Sequence, residues 1–324
     1  MLAFVFVFLV SFMATFLSVP WLIPKLKKAG LTGRDVNKPD KPEIPEMGGF
    51  AIVSGLSAGI LLAIYMYTFY DVFDGNFQIK LVLASFCTVL IMAFVGVFDD
   101  LFDMHQFVKA VLPLFAALPL VAVKAGITTM TFPFIGPVHL GILYTLLLIP
   151  IGVTGASNVA NMLAGFNGLE AGMGSAACLS LAVIALALGK SEAAVMLVAM
   201  LGALLAFLYY NRHPSKVLIG DVGTLSIGAV IASAVIIGNY ETAGIIVIIP
   251  YAIDFFIKAS NGFPSKGWWG FYENGKLYCK GTPVSFSQTV MKLFGGISER
   301  NLVLFFINLE LLFGLVAVLL FVVK

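Results

Sequence analysis

The chain has 324 residues, of which 60% are apolar and only 11% are charged. Its mean hydropathy of +1.02 excludes an ordinary soluble protein and indicates a single integral membrane domain over residues 1–324. The net charge of +2 and the absence of a basic aromatic patch do not point to nucleic acid. The three cysteines form no CxxC or Cys/His pattern, so neither a disulfide framework nor a zinc site is predicted.

Long uncharged runs predict an all-α polytopic membrane protein with about ten transmembrane helices, since each span needs about 20 apolar residues. The predicted spans are 2–24, 48–70, 80–97, 108–124, 140–157, 171–189, 193–210, 223–238, 243–260 and 302–323. Prolines and glycines interrupt the fourth and fifth, which membrane helices tolerate when neighbouring helices satisfy the freed backbone groups. Lysines follow the first span and none precedes it, which predicts an uncleaved anchor with its N-terminus outside.

The basic residues are unevenly distributed between the two sides of this predicted bundle. All but four of the 19 lysines and arginines fall in the connections after spans 1, 3, 5, 7 and 9. The positive-inside rule therefore predicts that these connections are cytosolic. Acidic residues are enriched on the same side, so we expect the cytosolic face to carry the chemistry.

The first cytosolic connection, residues 25–47, is rich in lysine and proline. Its basic residues are typical of a membrane-anchoring loop. Glu46 and Met47 then precede the pair Gly48-Gly49 at the start of the second span. Glycines here let the backbone approach a ligand or let helices pack closely, and both interpretations are open.

The third connection begins with adjacent carboxylates. Asp99 and Asp100 follow a long apolar run, with Asp103 and Lys109 next in the chain. A partly buried carboxylate pair needs a cation or protons, so one could bind Mg²⁺ while the other takes a proton from a phosphate nucleophile. A solvated acidic turn is the alternative. Lys109 is a candidate phosphate contact, although positive-inside anchoring also explains it.

The fifth connection, GASNVANMLAGFNGLEAG, is rich in amides. Asn158 and Asn161 are three residues apart, so they share one face at a helix end. An amide oxygen is a hard ligand for Mg²⁺, and an amide NH₂ can hold a phosphate oxygen or a sugar hydroxyl. Asn167 and Gly168 predict a turn whose backbone could contact a flat base, with an ordinary cap and loop as the alternative.

The seventh connection ends with Gly220-Asp221 just before the eighth span. Taken alone, Asp221 is best interpreted as a helix N-cap. A carboxylate fixed in this way is also a pre-oriented metal ligand. With the aspartate pair and the two asparagines it completes a candidate Mg²⁺ shell.

The ninth connection, approximately residues 258–301, is the longest. Its sequence predicts a small aromatic β-hairpin that turns at Asn274-Gly275. Residues 284–294 are amphipathic and are predicted to lie in the membrane interface. Its aromatic and basic residues could meet a lipid phosphate or a sugar nucleotide, and interfacial anchoring explains each of them equally well.

These motifs together resemble a known superfamily. PEMGG, FDDLFD, NVANMLAGFNGLEAG, PSKVLIGD and GGISERNL are similar to those of the polyprenyl-phosphate N-acetylhexosamine-1-phosphate transferases, glycosyltransferase family 4. Within it the chain most resembles the eukaryotic and archaeal dolichyl-phosphate N-acetylglucosamine-phosphotransferases, over nearly its whole length. The bacterial muramoyl-pentapeptide translocases have Asp-Gly where this chain has Ala164-Gly165, which points away from the peptidoglycan enzyme.

The resemblance implies roles for individual residues. It implies Mg²⁺ ligation by Asn161 and Asp221, with Mn²⁺ as a substitute ion, and catalytic roles for Asp99, Asp100 and Lys109. Nucleotide-sugar contacts are implied for Glu46, Asn158, Asn167, Gly168 and Leu169. The eukaryotic members carry a His-Arg stretch in the ninth connection, whereas residues 261–270 here read NGFPSKGWWG. Lys258 and Lys266 are the candidate substitutes for the missing arginine.

The implied reaction moves N-acetylglucosamine 1-phosphate from UDP-GlcNAc to dolichyl (polyprenyl) phosphate, releasing UMP, as the first lipid-linked step of glycan assembly for N-glycosylation. Another UDP-HexNAc or undecaprenyl phosphate is an alternative, because closely related substrates are contacted by the same residue types. A transporter or flippase is the competing class, favoured by Asp254 inside the ninth span. The expected location is an archaeal-type cell membrane, with the endoplasmic reticulum as the alternative, and a homodimer is left open.

Overall fold

The computed structural model describes residues 1–73, 77–102, 104–132, 136–264 and 266–323. Nine helices within these ranges are long and apolar enough to cross a membrane. They confirm the predicted all-α polytopic architecture, and the described strands form only two-stranded antiparallel sheets. Asp103, which the sequence places after the aspartate pair, lies outside the described residues.

The helices and strands have the following bounds. The helices are α1 (Leu2–Lys28), α2 (Gly49–Tyr70), α3 (Ile79–Phe102), α4 (Gln106–Val111), α5 (Pro113–Ala116), α6 (Leu118–Ala122), α7 (Ile149–Met162), α8 (Leu169–Ala187), α9 (Ser191–Asn211), α10 (Gly220–Gly238), α11 (Glu241–Ser260), α12 (Phe286–Leu293) and α13 (Glu299–Val322). A π-helical turn, Tyr144–Leu148, leads directly into α7. The strands are β1 (Thr32–Arg34), β2 (Glu43–Pro45), β3 (Thr129–Phe132), β4 (Gly136–His139), β5 (Phe271–Glu273) and β6 (Lys276–Tyr278), paired β1–β2, β3–β4 and β5–β6.

The fourth predicted span, 108–124, is a series of three short helices, α4 to α6. Pro113 begins α5, and Pro119 lies at the start of α6. A proline lacks the backbone N–H and clashes with the preceding turn, so each one interrupts the helical ladder. The chain therefore bends here instead of forming one continuous helix.

Helix α10 lies at the centre of the bundle and is buried along almost its whole length, packed chiefly against α3 and α7 and also against α9 and α2. Glycines allow its neighbours to approach closely. A Cβ added at Gly49 of α2 would lie 2.2 Å from the nitrogen of Gly223, and one at Gly96 of α3 would lie 2.5 Å from that of Val222. These contacts hold the beginning of α2 and the end of α3 against the first turn of α10.

The five connections predicted to share a side do gather on one face of the bundle. The Gly48 amide donates to the Leu218 carbonyl at 2.9 Å, and the Asn37 amide donates to the Gly165 carbonyl at 2.8 Å. A Cβ added at Gly165 would lie 2.1 Å from the ring of Trp268 in the ninth connection. The predicted hairpin in that connection is confirmed, because β5 and β6 pair around a turn in which both central residues have positive φ.

Candidate active site

A predicted catalytic residue, Asp100, meets a predicted metal ligand, Asp221, where α3 ends and α10 begins. The carboxylate of Asp100 accepts hydrogen bonds from the backbone amides of Asp221, at 2.9 Å, and Val222, at 3.3 Å. These amides belong to the first turn of α10, whose own N-cap residue, Ile219, makes no side-chain cap. The N-cap prediction for Asp221 is therefore wrong. Asp100 caps α10 from the neighbouring helix, because helix-terminal amides need an acceptor.

Asp99 is buried beside this cap and joins the cluster through its side chain. Its Oδ1 lies 2.7 Å from Nζ of Lys109 and accepts the Met104 amide at 3.2 Å. Its carboxyl group is also within hydrogen-bonding contact of Asp221. Two carboxylates in such contact repel unless a proton or a cation is shared between them. The sequence-predicted residues Asp99, Asp100, Lys109 and Asp221 thus form one site.

Glu46 belongs to the same site, as an electrostatic neighbour of Asp100. Its backbone amide donates to the Leu31 carbonyl at 3.1 Å, and the preceding Pro45 carbonyl accepts the Leu218 amide at 2.8 Å. These bonds fix the segment on which Glu46 lies against the connection that leads into α10. Partial burial raises the pKa of the Glu46 carboxyl above its ordinary value of 4.5.

A glycine with positive φ makes room for the cluster. Gly220 has φ +69°, a conformation that a residue with a side chain rarely adopts. A Cβ there would lie 2.7 Å from Oδ2 of Asp100 and 3.0 Å from Cα of Met47. The short side chain is thus required both by the backbone and by the carboxylate beside it.

Asn158 and Asn161 lie in the last turns of α7, because this helix continues several residues beyond the predicted end of the fifth span. Both are half-buried, and neither side-chain amide hydrogen-bonds another described residue. Helix α7 runs antiparallel to α10 and crosses it where a Cβ at Gly228 would meet Ser157. At 1.5 Å per residue, Asn161 lies about 6 Å and Asp221 about 10 Å from this crossing toward the same face. Asn161 remains a candidate metal ligand.

Asn167, Gly168 and Leu169 form the turn that begins α8, with Gly168 as the N-cap residue at φ +88°. The Asn167 side-chain amide donates to Asp35 at 2.9 Å, and its backbone amide donates to Glu299 at 2.8 Å. The Leu169 side chain is buried in an apolar cluster. The structure therefore brings this turn to the correct face but uses both side chains internally, which leaves its backbone as the part that could contact a nucleotide.

The sequence reasoning assigned no role to Glu299, the first residue of α13. Its carboxylate accepts the Asn167 amide, forms a short ion pair with Lys38 and lies 3.4 Å from Nδ1 of His213. One carboxylate therefore joins the first, fifth and seventh connections to the ninth. Beside it lies a cavity of about 420 Å³, whose lining includes Asn37, Lys38, His213, Tyr272, Glu299 and Arg300. The motif GGISERNL marked this position, but only the folded chain shows its partners.

Lys258, one candidate substitute for the missing arginine, is buried and already paired. Its ammonium lies 2.8 Å from Oδ2 of Asp254 and donates to the Met162 carbonyl. Asp254 also accepts the Phe286 amide at 2.7 Å. Both residues therefore connect α11 to α7 and α12, and Asp254 is less readily interpreted as a transport residue. Lys266, the other candidate, is exposed.

The donor atoms at the carboxylate cluster fit Mg²⁺ only in part. Within the described ranges no group of three or more His, Cys, Asp or Glu side chains is arranged to hold a metal ion. Asp99 and Asp221 nevertheless supply hard oxygen donors in contact with each other, and the Asn161 amide oxygen is of the same class. Mg²⁺ commonly uses one or two carboxylates and completes its shell with water and substrate phosphates. The site therefore fits an ion completed by a diphosphate.

The fold and this site define a polytopic membrane protein with a carboxylate cluster at one face of its helical bundle. The model of Glycosyl transferase family 4 matches residues 81–239. A protein of Saccharolobus solfataricus named "Putative UDP-N-acetylglucosamine--dolichyl-phosphate N-acetylglucosaminephosphotransferase" is 36% identical over 96% of this chain and 95% of its own length. A Sulfolobus acidocaldarius protein of the same name is also 36% identical, over 96% of this chain and 94% of its own.

A bacterial relative is more distant. The phospho-N-acetylmuramoyl-pentapeptide-transferase of Streptococcus mutans is 29% identical over 76% of each chain. The chain belongs to glycosyl transferase family 4, as its motifs predicted. It is a membrane-embedded transferase.

Proposed function

We propose that this protein transfers N-acetylglucosamine 1-phosphate from UDP-GlcNAc to dolichyl phosphate, giving dolichyl-diphospho-GlcNAc and UMP. The observation that carries the proposal is the convergence of Asp99, Asp100, Lys109 and Asp221 at one face of the bundle. The near full-length similarity to two archaeal relatives with that name supports the choice of substrates.

The chemistry requires the acceptor phosphate to attack the β-phosphorus of the sugar nucleotide in line. A new P–O bond forms to the lipid phosphate while the bond to the bridging oxygen breaks, and UMP leaves with that oxygen. A phosphate monoester has a second pKa near 6. The acceptor is therefore largely a dianion at neutral pH and needs positioning more than deprotonation.

We assign different roles to the two adjacent aspartates, on the basis of their hydrogen bonds. Both oxygens of Asp100 accept backbone amides of α10, so Asp100 acts as a positioning residue for Asp221. Asp99 and Lys109 form an ion pair at the same point, and the Lys109 side chain is 24% exposed. We therefore assign Lys109 to hold an oxygen of the acceptor phosphate, and Asp99 to orient Lys109 and to accept a proton when one must leave.

Asp221 and Asn161 would hold the Mg²⁺, with Asp99 adjacent. When bound, the ion neutralises charge that develops on the diphosphate during transfer. Glu46 borders the same space, and the half-buried Asn158 lies one helical turn before Asn161 on the same face of α7. The backbone of the turn at Gly168 is our candidate for the nucleotide contact.

The distribution of basic residues supports a cytosolic position for this face, in an archaeal-type cell membrane or, alternatively, in the endoplasmic reticulum. Such a position would give the site access to a soluble nucleotide sugar and to a lipid phosphate at the bilayer surface.

The test is UMP release by the detergent-purified protein supplied with UDP-GlcNAc and dolichyl phosphate, with Mg²⁺ or with EDTA. We expect UMP only when both the lipid and Mg²⁺ are present, and a loss of activity in Asp221→Ala and Asp100→Asn. The variant Glu43→Gln, which changes an exposed carboxylate on β2, is the matched control and should retain activity. If UMP forms with undecaprenyl phosphate but not with dolichyl phosphate, the acceptor is undecaprenyl phosphate and the proposed lipid is wrong. A folded protein that forms none with either lipid would refute the reaction.

A further inference from the structure

A buried ion pair on α11 adjoins the segment that carries Asn161 and the turn at Gly168. The carboxylate of Asp254 and the ammonium group of Lys258 are 2.8 Å apart and four positions apart in the helix. Their exposed fractions are 0% and 6%. Because removing two charges from water is unfavourable, such a pair needs further polar contacts to compensate for the lost hydration. These further contacts show which parts of the chain the pair holds.

Lys258 binds the C-terminal end of α7. Its ammonium group donates to the carbonyl of Met162, the last residue of that helix. The last carbonyls of a helix have no partner within it, and a cation at this end also interacts favourably with the helix dipole. Asn161, the candidate metal ligand, immediately precedes Met162. The position of Asn161 should therefore depend on how Lys258 holds the last turn of α7.

The same ammonium group lies over the ring of Trp268 in the ninth connection, 5.2 Å from its centroid. A cation at this distance is attracted to the face of an indole ring. The other contact of the ring is with Gly165, where an added Cβ would overlap its atoms. Gly165 has φ +112° and lies three positions before Gly168. One lysine thus contacts both the helix end before this turn and the aromatic ring that packs on it.

Asp254 holds the same tryptophan through α12. Its Oδ1 accepts the Phe286 amide, in the first turn of α12, at 2.7 Å. Ser285, the N-cap residue of this helix, donates to the Trp268 carbonyl at 2.9 Å. Gln288 donates to the carbonyls on either side of Trp268, at 2.7 and 2.9 Å. The ion pair therefore joins α7, α11, α12 and the backbone around Trp268.

We propose that Lys258, held in place by Asp254, is a positioning residue that keeps residues 161–168 in the conformation that binds Mg²⁺ and the sugar nucleotide. This inference rests on the proposed function, because that function assigns both ligands to this segment. The Lys258 ammonium group is occupied by Asp254 and the Met162 carbonyl. Lys258 therefore acts through Asn161 and the turn, and not by contact with the diphosphate.

Two matched double variants of the full-length protein in lipid nanodiscs test this role. Asp254→Asn/Lys258→Met removes both charges and the ammonium donor, while the new amide oxygen can still accept the Phe286 amide. The control, Glu273→Gln/Lys276→Met, removes one exposed carboxylate and one exposed lysine from β5 and β6. Replacing both members of a buried ion pair with uncharged groups of similar size is often neutral for stability, so both proteins should melt close to the wild type.

The measurement is Mn²⁺ binding, followed by the EPR signal of the free ion, with UDP-GlcNAc present and no acceptor lipid. We expect Asp254→Asn/Lys258→Met to bind Mn²⁺ at least about tenfold more weakly than the wild type, since losing a residue that orients a metal ligand costs this much. The control should bind it as the wild type does. Equal affinities in the wild type and the first variant would overturn the positioning role alone. A wild type that binds no Mn²⁺ would overturn the proposed metal site as well.

If Asp254→Asn/Lys258→Met melts well below the wild type, Trp268→Leu and Trp269→Leu decide the question. Only the first of these removes the ring that contacts both Lys258 and Gly165. Titration with UDP-GlcNAc at fixed Mn²⁺ should show a several-fold loss of affinity in Trp268→Leu and none in Trp269→Leu. Equal UDP-GlcNAc affinities in the two tryptophan variants would overturn the inference.

Discussion

The backbone amide of Asp221 donates to the carboxylate of Asp100 at 2.9 Å, so the side chain of Asp100 fixes the position of the candidate metal ligand Asp221. The bond joins the end of α3 to the beginning of α10, which are 121 positions apart in sequence. Because Asp100 caps α10, the Asp221 side chain is held at a defined place beside Asp99. Stability and activity should therefore both depend on Asp100, and suitable variants should separate the two contributions.

Replacement of Asp100 should reduce activity more than stability. Asp100→Ala removes the cap and should cost about 1–2 kcal/mol in the free energy of unfolding. Asp100→Asn keeps one carbonyl oxygen as an acceptor and should cost less, yet both variants should lose about 100-fold or more in kcat because Asp221 is no longer held correctly. Thermal melts and UMP release on the same preparations measure the two effects. An Asp100→Asn protein with wild-type kcat would contradict the positioning role.

The pH dependence of stability should change in Glu46→Gln. Burial raises the pKa of Glu46 in the folded protein above the ordinary 4.5, so the folded state binds the proton more tightly than the unfolded state does. The wild type should therefore lose stability as pH rises from 4.5 through the raised folded value. Glu46→Gln should lack this part of the decline.

Melting temperatures of the wild type and Glu46→Gln, compared across pH 4 to 8, measure this difference. The stability of Glu46→Gln relative to the wild type should increase over that window and then level off. If the difference in melting temperature between the two proteins is the same at every pH, burial does not raise the pKa of Glu46.

Loss of the Glu299 charge should destabilise the contacts among the connections on this face of the bundle. Glu299→Gln can still accept the Asn167 amide, but His213 loses its carboxylate and Lys38 keeps only Asp35, at 3.2 Å. Breaking a buried pair costs about 3 kcal/mol. We expect a lower melting temperature and a several-fold higher KM for UDP-GlcNAc. Glu273→Gln, an exposed change in β5 of the same connection, is the control and should alter neither quantity. If the two variants have the same melting temperature and the same KM, Glu299 does not hold these connections together.

The close approach of α3 to α10 predicts a position-specific effect of a single methyl group. In Gly96→Ala the new Cβ would lie 2.5 Å from the Val222 nitrogen, so the helices must separate, at a cost of about 1–3 kcal/mol. Because the carboxylate cluster spans this contact, activity should fall at least about tenfold. Gly155→Ala, in α7, meets no atom within 4 Å and should be neutral. Melting curves and UMP release on both variants provide the comparison.

The sequence predicted the spans, the shared face of the five connections and the hairpin at Asn274, because hydropathy, charge and turn preferences are local properties. The cap made by Asp100 could not be predicted, since it depends on the packing of α3 against α10. For the same reason Asp221 was interpreted as capping its own helix. The network at Glu299 joins distant loops, and no local pattern distinguishes a buried carboxylate at the start of a helix from an exposed one. The division of the fourth span was signalled by Pro113 and Pro119.

The most direct test of the proposed reaction follows both parts of the donor at once. Purified protein would be given UDP-GlcNAc labelled with ³²P at the β-phosphorus and with ³H in the sugar, together with dolichyl phosphate and Mg²⁺. We predict that both labels enter the extracted lipid in a one-to-one ratio and that UMP is released, with both transfers lost in Asp221→Ala. Transfer of ³H alone with release of UDP, or equal transfer by the Asp221→Ala protein, would contradict the account.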